Sequence, residues 1–427
     1  MRRIALISEH ASPLAGPGSV DSGGQNIYVA QLARHLGKRG YPVDVFTRRD
    51  KGLLPDTVAM APNVRVVHVP AGPAVHVPKE QLLPYMNAFG DYMTQFMANE
   101  RAGYMVMHAN FFMSGLAALR AKQSLGIPLV TTFHALGKVR RLHQGTADGF
   151  PDSRFAIEEQ LVRESDCIVA ECPQDRHDLI RLYDANPSSI ETVPCGFDGD
   201  EFTPVPRAEA RRALGWVPGE FSVLQLGRMV PRKGIDNVVR AIGELRRAYG
   251  IRARLYIVGG NSDQPSPAAT PEIGRLQKIA AEEGVSDLVT FVGRRGRDQL
   301  RLFYSAANVF VTTPWYEPFG ITPVEAMACG VPVVGASVGG IRSTVLNGRT
   351  GYLVPPRDPA ALAARLARLA CDPILAERMG AAGRRRADTH FTWAGVAARM
   401  ESVYSRVANV PATETVQQAP VAAQVAA

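Results

Sequence analysis

A chain of 427 residues exceeds what one hydrophobic core ordinarily serves, so two domains are expected. With 46% hydrophobic and 21% charged residues the composition is that of a soluble globular protein, and the lack of any apolar run of about 18 residues excludes a transmembrane helix. The net charge of +8 fits a solvated basic surface or attraction to anionic substrates or an anionic membrane, whereas no basic tract interleaved with aromatics points to nucleic acid.

Strand-like and helix-like segments alternate along the chain, the pattern of parallel sheets with helices on both faces. After Met1-Arg2-Arg3, the apolar run Ile4 to Ile7 is too short for a signal peptide and reads as a first strand. A cytoplasmic location is therefore expected, with peripheral contact at the inner membrane face as a variant. Asp21-Ser22-Gly23-Gly24-Gln25-Asn26 precedes a helix expected over 25–38. Its glycines let amides approach a phosphate or sugar, or simply make a turn, and the GxGxxG spacing of a dinucleotide site is absent. Strands follow at 43–47, 64–69, 104–108, 129–134, 167–170 and 190–193, with helices at 78–100 and 154–164. Lys79 and Arg154 open those two helices. Each alone reads as a surface cation; together they suit an anionic second substrate. His108-Ala109-Asn110-Phe111 and Thr131 to Lys138, which contains His134, end two strands on polar residues. They read as structural histidines or as part of a cleft. Phe202-Thr203-Pro204-Val205-Pro206 interrupts the alternation as a linker. It separates a first domain over 1–200 from a second over 207–390.

In the second domain, strands are expected at 221–226, 254–258, 288–292, 309–312 and 331–335. Gly227-Arg228-Met229-Val230-Pro231-Arg232-Lys233-Gly234 leaves the first of them. A forked donor and a point charge suit a diphosphate, although a solvated basic turn has the same composition. The most informative segment runs from Pro314 to Gly330, with Glu317 and Glu325 eight positions apart and Gly320 between them. It sits at the carboxyl end of a buried strand, where open α/β sheets bind ligands. A helix amino terminus attracts anions there, and carboxylates accept hydrogen bonds from hydroxyls, so a nucleotide-sugar meets both demands. Thr322-Pro323-Val324-Glu325 also reads as a capping box, with Thr322 as N-cap. A last helix over 391–407, opened by Thr392, precedes a tail, 409–427, expected to be disordered. Five cysteines without a CxxC pair support neither a disulfide framework nor a zinc site, and no metal is expected.

Together these segments resemble the retaining, nucleotide-sugar-dependent glycosyltransferases of family four, over essentially Met1 to Ala408. Glu317 to Glu325 matches the family's EX7E motif, Gly227-Arg228 with Lys233-Gly234 its diphosphate pair, and Ser22-Gly23-Gly24 its glycine loop. Pro78 to Tyr85, Phe133 to Lys138 and Ser153 to Glu159 are most similar to sucrose-phosphate synthases and inositol-phosphate N-acetylglucosaminyltransferases. Those groups carry an HxHY-type motif where this chain has His108 to Phe111, and a hydroxyl residue where it has Ala135. The resemblance implies a GT-B fold: two doubly wound Rossmann-like α/β domains facing across a cleft, with 391–408 crossing back to the first. It implies retaining, metal-independent hexosyl transfer. Arg228 and Lys233 would neutralise the leaving diphosphate, Glu317 would hold sugar hydroxyls, and His134 would position sugar and acceptor. Gly23, Gly24, Gly259, Arg294, Phe319, Gly320, Ile321 and Glu325 would bind the donor, with Glu325 on the ribose. Lys79, Asn110, Phe111, Lys138 and Arg154 would bind a small anionic acceptor. No cofactor is implied beyond the nucleotide-sugar, UDP- being favoured over ADP- or GDP-, and the oligomeric state stays open. The alternatives are a lipid or polysaccharide acceptor, or a GT-B enzyme such as a nucleotide-sugar epimerase.

Overall fold

The computed structural model describes residues 2–15 and 23–409; Asp21, Ser22 and the tail beyond 409 lie outside the described residues. The first half contributes β1 (Arg3–Ile7), β2 (Val43–Arg48), β3 (Thr57–Ala61), β4 (Val64–Val69), β5 (Tyr104–Asn110), β6 (Leu129–Thr132), β7 (Cys167–Ala170) and β8 (Ile190–Thr192). They form one sheet in the order β3-β4-β2-β1-β5-β6-β7-β8, parallel except for β3, which pairs antiparallel with β4 at the edge. The second half contributes β9 (Phe221–Leu226), β10 (Ala253–Val258), β11 (Val289–Gly293), β12 (Val309–Thr312), β13 (Val333–Ala336) and β14 (Gly351–Val354). These run β11-β10-β9-β12-β13-β14, all parallel.

Apolar patterning accounts for the sheet centres. β2, β5, β12 and β13 are buried at every position, as strands covered by helices on both faces must be. The two strands missed in the sequence lie at edges: β3 is partly exposed throughout, and β14 opens on a glycine after a turn. The helix expected over 78–100 is broken. Lys79–Gln81 and Leu83–Tyr85 are separate 3-10 turns, and only Met86–Ala98 is α-helical. Pro84 has no amide to donate and its ring blocks a continuous helix. Lys79 therefore sits on a tight turn, not at the head of a long helix.

The segment 198–206 is packed rather than loose. Phe202 is buried, with Tyr304 edge-on at 5.9 Å and the Arg297 guanidinium over its ring at 4.8 Å. The last helix, Trp393–Val407, starts as expected, with Thr392 accepting from the Gly395 amide. It then docks on the first half. Glu401 pairs with Arg39 and accepts from the Tyr41 hydroxyl at 2.7 Å, while the Tyr404 hydroxyl meets His108 Nδ1 at 2.7 Å. His108 thus belongs to this clasp. Burial, with His134 nearby, pushes its imidazole down to about 3, so it is neutral at physiological pH.

Candidate functional site

The carboxyl ends of both sheets open onto one cavity of about 530 Å³. His10 follows β1, Phe111 follows β5, His134 follows β6 and Glu171 follows β7. From the other half come Arg228 and Lys233 after β9, Gly259 after β10, Arg294 after β11, and Glu317 to Glu325 after β12. The two walls meet at the glycine loop: a Cβ on Gly23 would lie 4.0 Å from the Arg228 guanidinium carbon, and one on Gly24 3.5 Å from Ile321.

The charged heart of the cavity is an ion pair between Lys233 Nζ and Glu317 Oε2, with the two side chains 19% and 14% exposed. Burial would raise the Glu317 carboxyl, but Lys233, Arg232 and Arg228 overcome it and hold the group below the usual carboxylate range. Lys233 is lowered, by burial first and then by Arg232 and Arg228, against the pull of Glu317. Two glycines make this geometry possible. A Cβ on Gly339 would sit 1.8 Å from the Glu317 carbonyl oxygen, and one on Gly259 2.1 Å from that of Gly227. Both have positive φ, +46° and +143°, which only glycine adopts cheaply.

Glu325 lines the cavity but is no capping residue. The helix is Ile321–Ala328 with Gly320 at its N-cap, φ +89°, so Thr322 lies inside the first turn and has no cap to make. Glu325 instead accepts from Arg297 Nη1 at 2.9 Å and from the Tyr304 hydroxyl at 3.0 Å. Arg297 also pairs with Glu201 of the connecting segment. Phe319, Gly320 and Ile321 complete this wall. Arg294 reaches the cavity while pairing with Asp263 at 3.1 Å. Its amide donates to the Ser262 carbonyl at 2.8 Å, and the Gly259 amide to that of Gly293 at 3.0 Å.

On the first-half side, His134 faces the cavity with φ +57°. Its Nδ1 lies 3.1 Å from Glu171 Oε1 and its Nε2 3.0 Å from Asn110 Oδ1. Asn110 is fully buried behind this histidine and does not line the cavity, so it supports His134 rather than facing a ligand. Lys138 points away altogether: its ammonium donates to the Leu182 carbonyl at 2.6 Å and to Glu159 at 2.8 Å, over the Tyr183 ring. Arg154 is 1% exposed, not a surface cation. It pairs with Glu158, donates to the Ala135 carbonyl, and lies within 4.9 Å of the rings of Phe111, Phe112 and Phe150. It sits beneath the cavity floor, and its Nη1 has no hydrogen-bond partner among the described residues. Of the five acceptor-side candidates, Lys79 and Phe111 reach the wall.

Several lining residues were not singled out from sequence, among them Glu171, Arg140, Arg297 and Tyr316. Glu171 directly follows β7, and the strand-exit rule that flagged His134 would have found it. Arg140, paired with Asp148 at 2.7 Å and lying over Phe150, and Arg297 carry no motif. Tyr316 stacks on His143 with centroids 5.1 Å apart and accepts from Gln144 Nε2 at 2.6 Å, joining the two halves.

Comparison with known proteins agrees with this architecture. Residues 22–201 match the family model described as Glycosyltransferase Family 4, and residues 206–386 that described as Glycosyl transferases group 1. A D-inositol 3-phosphate glycosyltransferase of Streptomyces scabiei is 39% identical over 410 residues, 95% of this chain and 91% of that protein. The chain belongs to glycosyltransferase family 4. A second D-inositol 3-phosphate glycosyltransferase, from Catenulispora acidiphila, is 37% identical over 95% of each chain. Among solved structures, sucrose-phosphate synthase from Thermosynechococcus elongatus aligns with a TM-score of 0.86 at 35% identity, covering 95% of this chain and 99% of the other. Anabaena HepE in complex with UDP and glucose has a TM-score of 0.73 at 19% identity, over 95% and 100% of the chains, and shares the fold. This family 4 glycosyltransferase has the expected GT-B architecture. Among the described residues no helix is long and apolar enough to cross a membrane.

Proposed function

We propose that this glycosyltransferase moves a hexosyl group from a nucleotide-sugar to a small phosphorylated sugar or polyol, with retention at the anomeric carbon. The observation that carries the reading is the Lys233–Glu317 pair beside Arg228 at adjacent strand ends, facing Lys79 and Phe111 across one cavity. As the glycosidic bond breaks, charge builds on the leaving diphosphate; Arg228 and Lys233 are cations held where that charge develops, which is electrostatic stabilisation of the transition state. Those fixed cations supply what a metal ion supplies elsewhere, so transfer in excess chelator is the expectation. Glu317, tied to Lys233, holds sugar hydroxyls. Glu325, tied to Arg297 and Tyr304, holds the ribose. Neither carboxylate is placed as a free nucleophile, and this favours attack on the face the diphosphate leaves, without a covalent intermediate.

For the acceptor, Lys79 lines the cavity with Glu80 at 3.7 Å, and an anionic group entering from the first-half side would meet it, while Arg154, paired with Glu158, lies beneath the floor. The names of the similar proteins, D-inositol 3-phosphate glycosyltransferase and sucrose-phosphate synthase, point to a phosphorylated acceptor. A uridine diphosphate donor is favoured. The test crosses UDP-, ADP- and GDP-sugars with inositol phosphate, fructose 6-phosphate and lipid acceptors, reading nucleotide release and product anomer. Release that depends on a phosphorylated acceptor, with the donor's anomeric configuration kept, is expected. Inverted product, or conversion of donor with no acceptor, overturns the reading.

A further inference from the structure

Glu317, the carboxylate assigned to the sugar hydroxyls, sits in the loop between β12 and the helix Ile321–Ala328, and the first half grips that loop on both sides of it. On one side, the Tyr316 hydroxyl accepts from Gln144 Nε2 at 2.6 Å, and the Tyr316 ring stacks on His143, 19° from parallel with centroids 5.1 Å apart. His143 and Gln144 end the helix Gly137–Gln144, which also carries Arg140 on the cavity wall. On the other side, the Cys172 thiol donates to the Pro318 carbonyl at 3.2 Å. A third contact across the cleft joins Arg342 Nη1 to Gln174 Oε1 at 3.2 Å, in the first turn of the helix Pro173–Tyr183 that Cys172 caps. We propose that Tyr316 is a positioning residue for hexosyl transfer: held by His143 and Gln144 of the first half, it sets the loop that aims Glu317 at the transferred sugar.

The second half supports the loop through its backbone and through Lys233. The Trp315 amide donates to the Arg232 carbonyl at 2.9 Å, and the Gly340 amide reaches the Glu317 and Pro318 carbonyls at 3.1 and 3.2 Å. Lys233 takes Glu317 Oε2, but an ammonium on a flexible four-carbon stem follows its partner rather than fixing it. The direction of the other carboxylate oxygen is therefore set by the loop. Tyr316 is 6% exposed, with His143 along its face and the Arg232 guanidinium 5.3 Å from its ring centroid. Partial burial, and then Arg357, hold His143 below the ordinary imidazole range against the pull of Asp178, so the stacked ring is neutral and sets no second cation against Arg232. Of the two grips on the loop Tyr316 is the stronger, because a thiol is a weak donor, whereas here a ring stack and a hydroxyl hydrogen bond act together. A shift at the end of the first-half helix thus reaches Glu317 through one peptide bond. At a reacting centre a misplacement of about 1 Å costs on the order of 100-fold in rate. This role rests on the transfer reading.

The test is a double-mutant cycle of Tyr316→Phe, Gln144→Leu and the two combined, assayed with the donor and acceptor selected in the screen of UDP-, ADP- and GDP-sugars and with thermal unfolding followed alongside. Each single variant should lower kcat about 3- to 10-fold, with donor KM and inhibition by the released nucleoside diphosphate within about twofold, because geometry rather than nucleotide binding is lost. The double variant should be no slower than either single one, since both changes break the same contact. In unliganded protein, amide exchange over 314–320 should quicken in all three. If Tyr316→Phe is slow while Gln144→Leu matches wild type, the hydroxyl acts on substrate directly and the positioning role is overturned. Losses that multiply, losses that appear in KM with kcat kept, or unchanged rates throughout overturn it as well, and in each of these cases the transfer reading stands. A wild type that transfers no sugar to any acceptor in the screen overturns the transfer reading itself, and the role with it. Gln144 is half-buried at a helix end, so if Tyr316→Phe fails to fold, Gln144→Leu decides: wild-type kcat overturns the role, and a loss confined to kcat with faster exchange over 314–320 supports it.

Discussion

Replacing Lys233 by methionine, which keeps the side-chain length and removes the charge, isolates the electrostatic part of the proposed mechanism. Two costs follow. Truncating one partner of a buried ion pair typically costs about 3–5 kcal/mol, because the other charge is stranded. Here Arg232 and Arg228 still act on Glu317, and the pair is partly exposed, so about 1–2 kcal/mol of stability is expected. The catalytic cost is larger. Losing one fixed donor at a site of developing negative charge raises the barrier by about 3–4 kcal/mol, or roughly 10²–10³-fold in kcat. The assay is nucleotide release at saturating donor and acceptor, with thermal unfolding followed in parallel. Adding Glu317→Gln discriminates further: if Lys233 served only to neutralise Glu317, the double variant would recover both stability and rate. A kcat within about threefold of wild type, or one restored in the double variant, refutes the assignment of Lys233 to the diphosphate.

Three further outcomes are expected. Asp175→Asn keeps the acceptor for the Glu171 amide and removes a carboxyl whose native value, about 8, lies far above its ordinary 3.8. A raised native value stabilises the fold fully below about pH 4 and is lost as pH rises through about 8, so the variant's advantage should grow with pH to on the order of a few kcal/mol. A pH-independent difference in denaturant midpoint would contradict this. Gly339→Ala forces a Cβ into the Glu317 carbonyl at a positive φ, and should cost about 2–4 kcal/mol and most of the transfer rate; unchanged unfolding and turnover would show that the loop relaxes freely. Tyr404→Phe strands the buried His108 Nδ1 and should cost about 1–3 kcal/mol, equally at pH 6 and pH 8 since His108 is neutral at both; a strongly pH-dependent loss would contradict the clasp.

The second-half wall of the cavity was legible in the chain, and the first-half wall only in part, at Lys79, Phe111 and His134, for a physical reason. Arg228, Lys233, Gly259, Glu317 and Gly320 each lie within eight residues of a strand's carboxyl end, so locating a strand locates them. Their geometry is set by short turns whose backbone conformation glycine announces. Lys138 and Arg154 also follow strands or begin helices, but their direction is decided by side chains far away in sequence. Lys138 is drawn off by Glu159, Leu182 and Tyr183. Arg154 is drawn under the floor by three phenylalanines, at 111, 112 and 150, none of which marks an arginine site by itself. The 78–100 helix failed on a local rule that was available, since Pro84 sits where a continuous helix needs an amide.

Glu325 shows how a correct position can be reached by an incorrect local argument. The spacing from Glu317 placed it on a helix at the end of β12, and so it is. The capping pattern Thr322 to Glu325 assigned its carboxylate to the helix's own amides. That required a helix start at Thr322, whereas Gly320, with φ +89°, lets the chain turn into the helix earlier. Once Thr322 is inside the first turn, the carboxylate of Glu325 has no cap to reach. It is set instead by Arg297 and Tyr304, brought from the helix that follows β11. Because Arg297 also holds Glu201 of the segment connecting the two halves, the carboxylate assigned to the ribose and that connection share one guanidinium. Arg297→Met should therefore weaken donor binding about 10-fold or more through Glu325 and also loosen the Glu201 segment, read as faster amide exchange over 198–206. Loss of affinity with exchange unchanged would mean that Arg297 serves Glu325 alone.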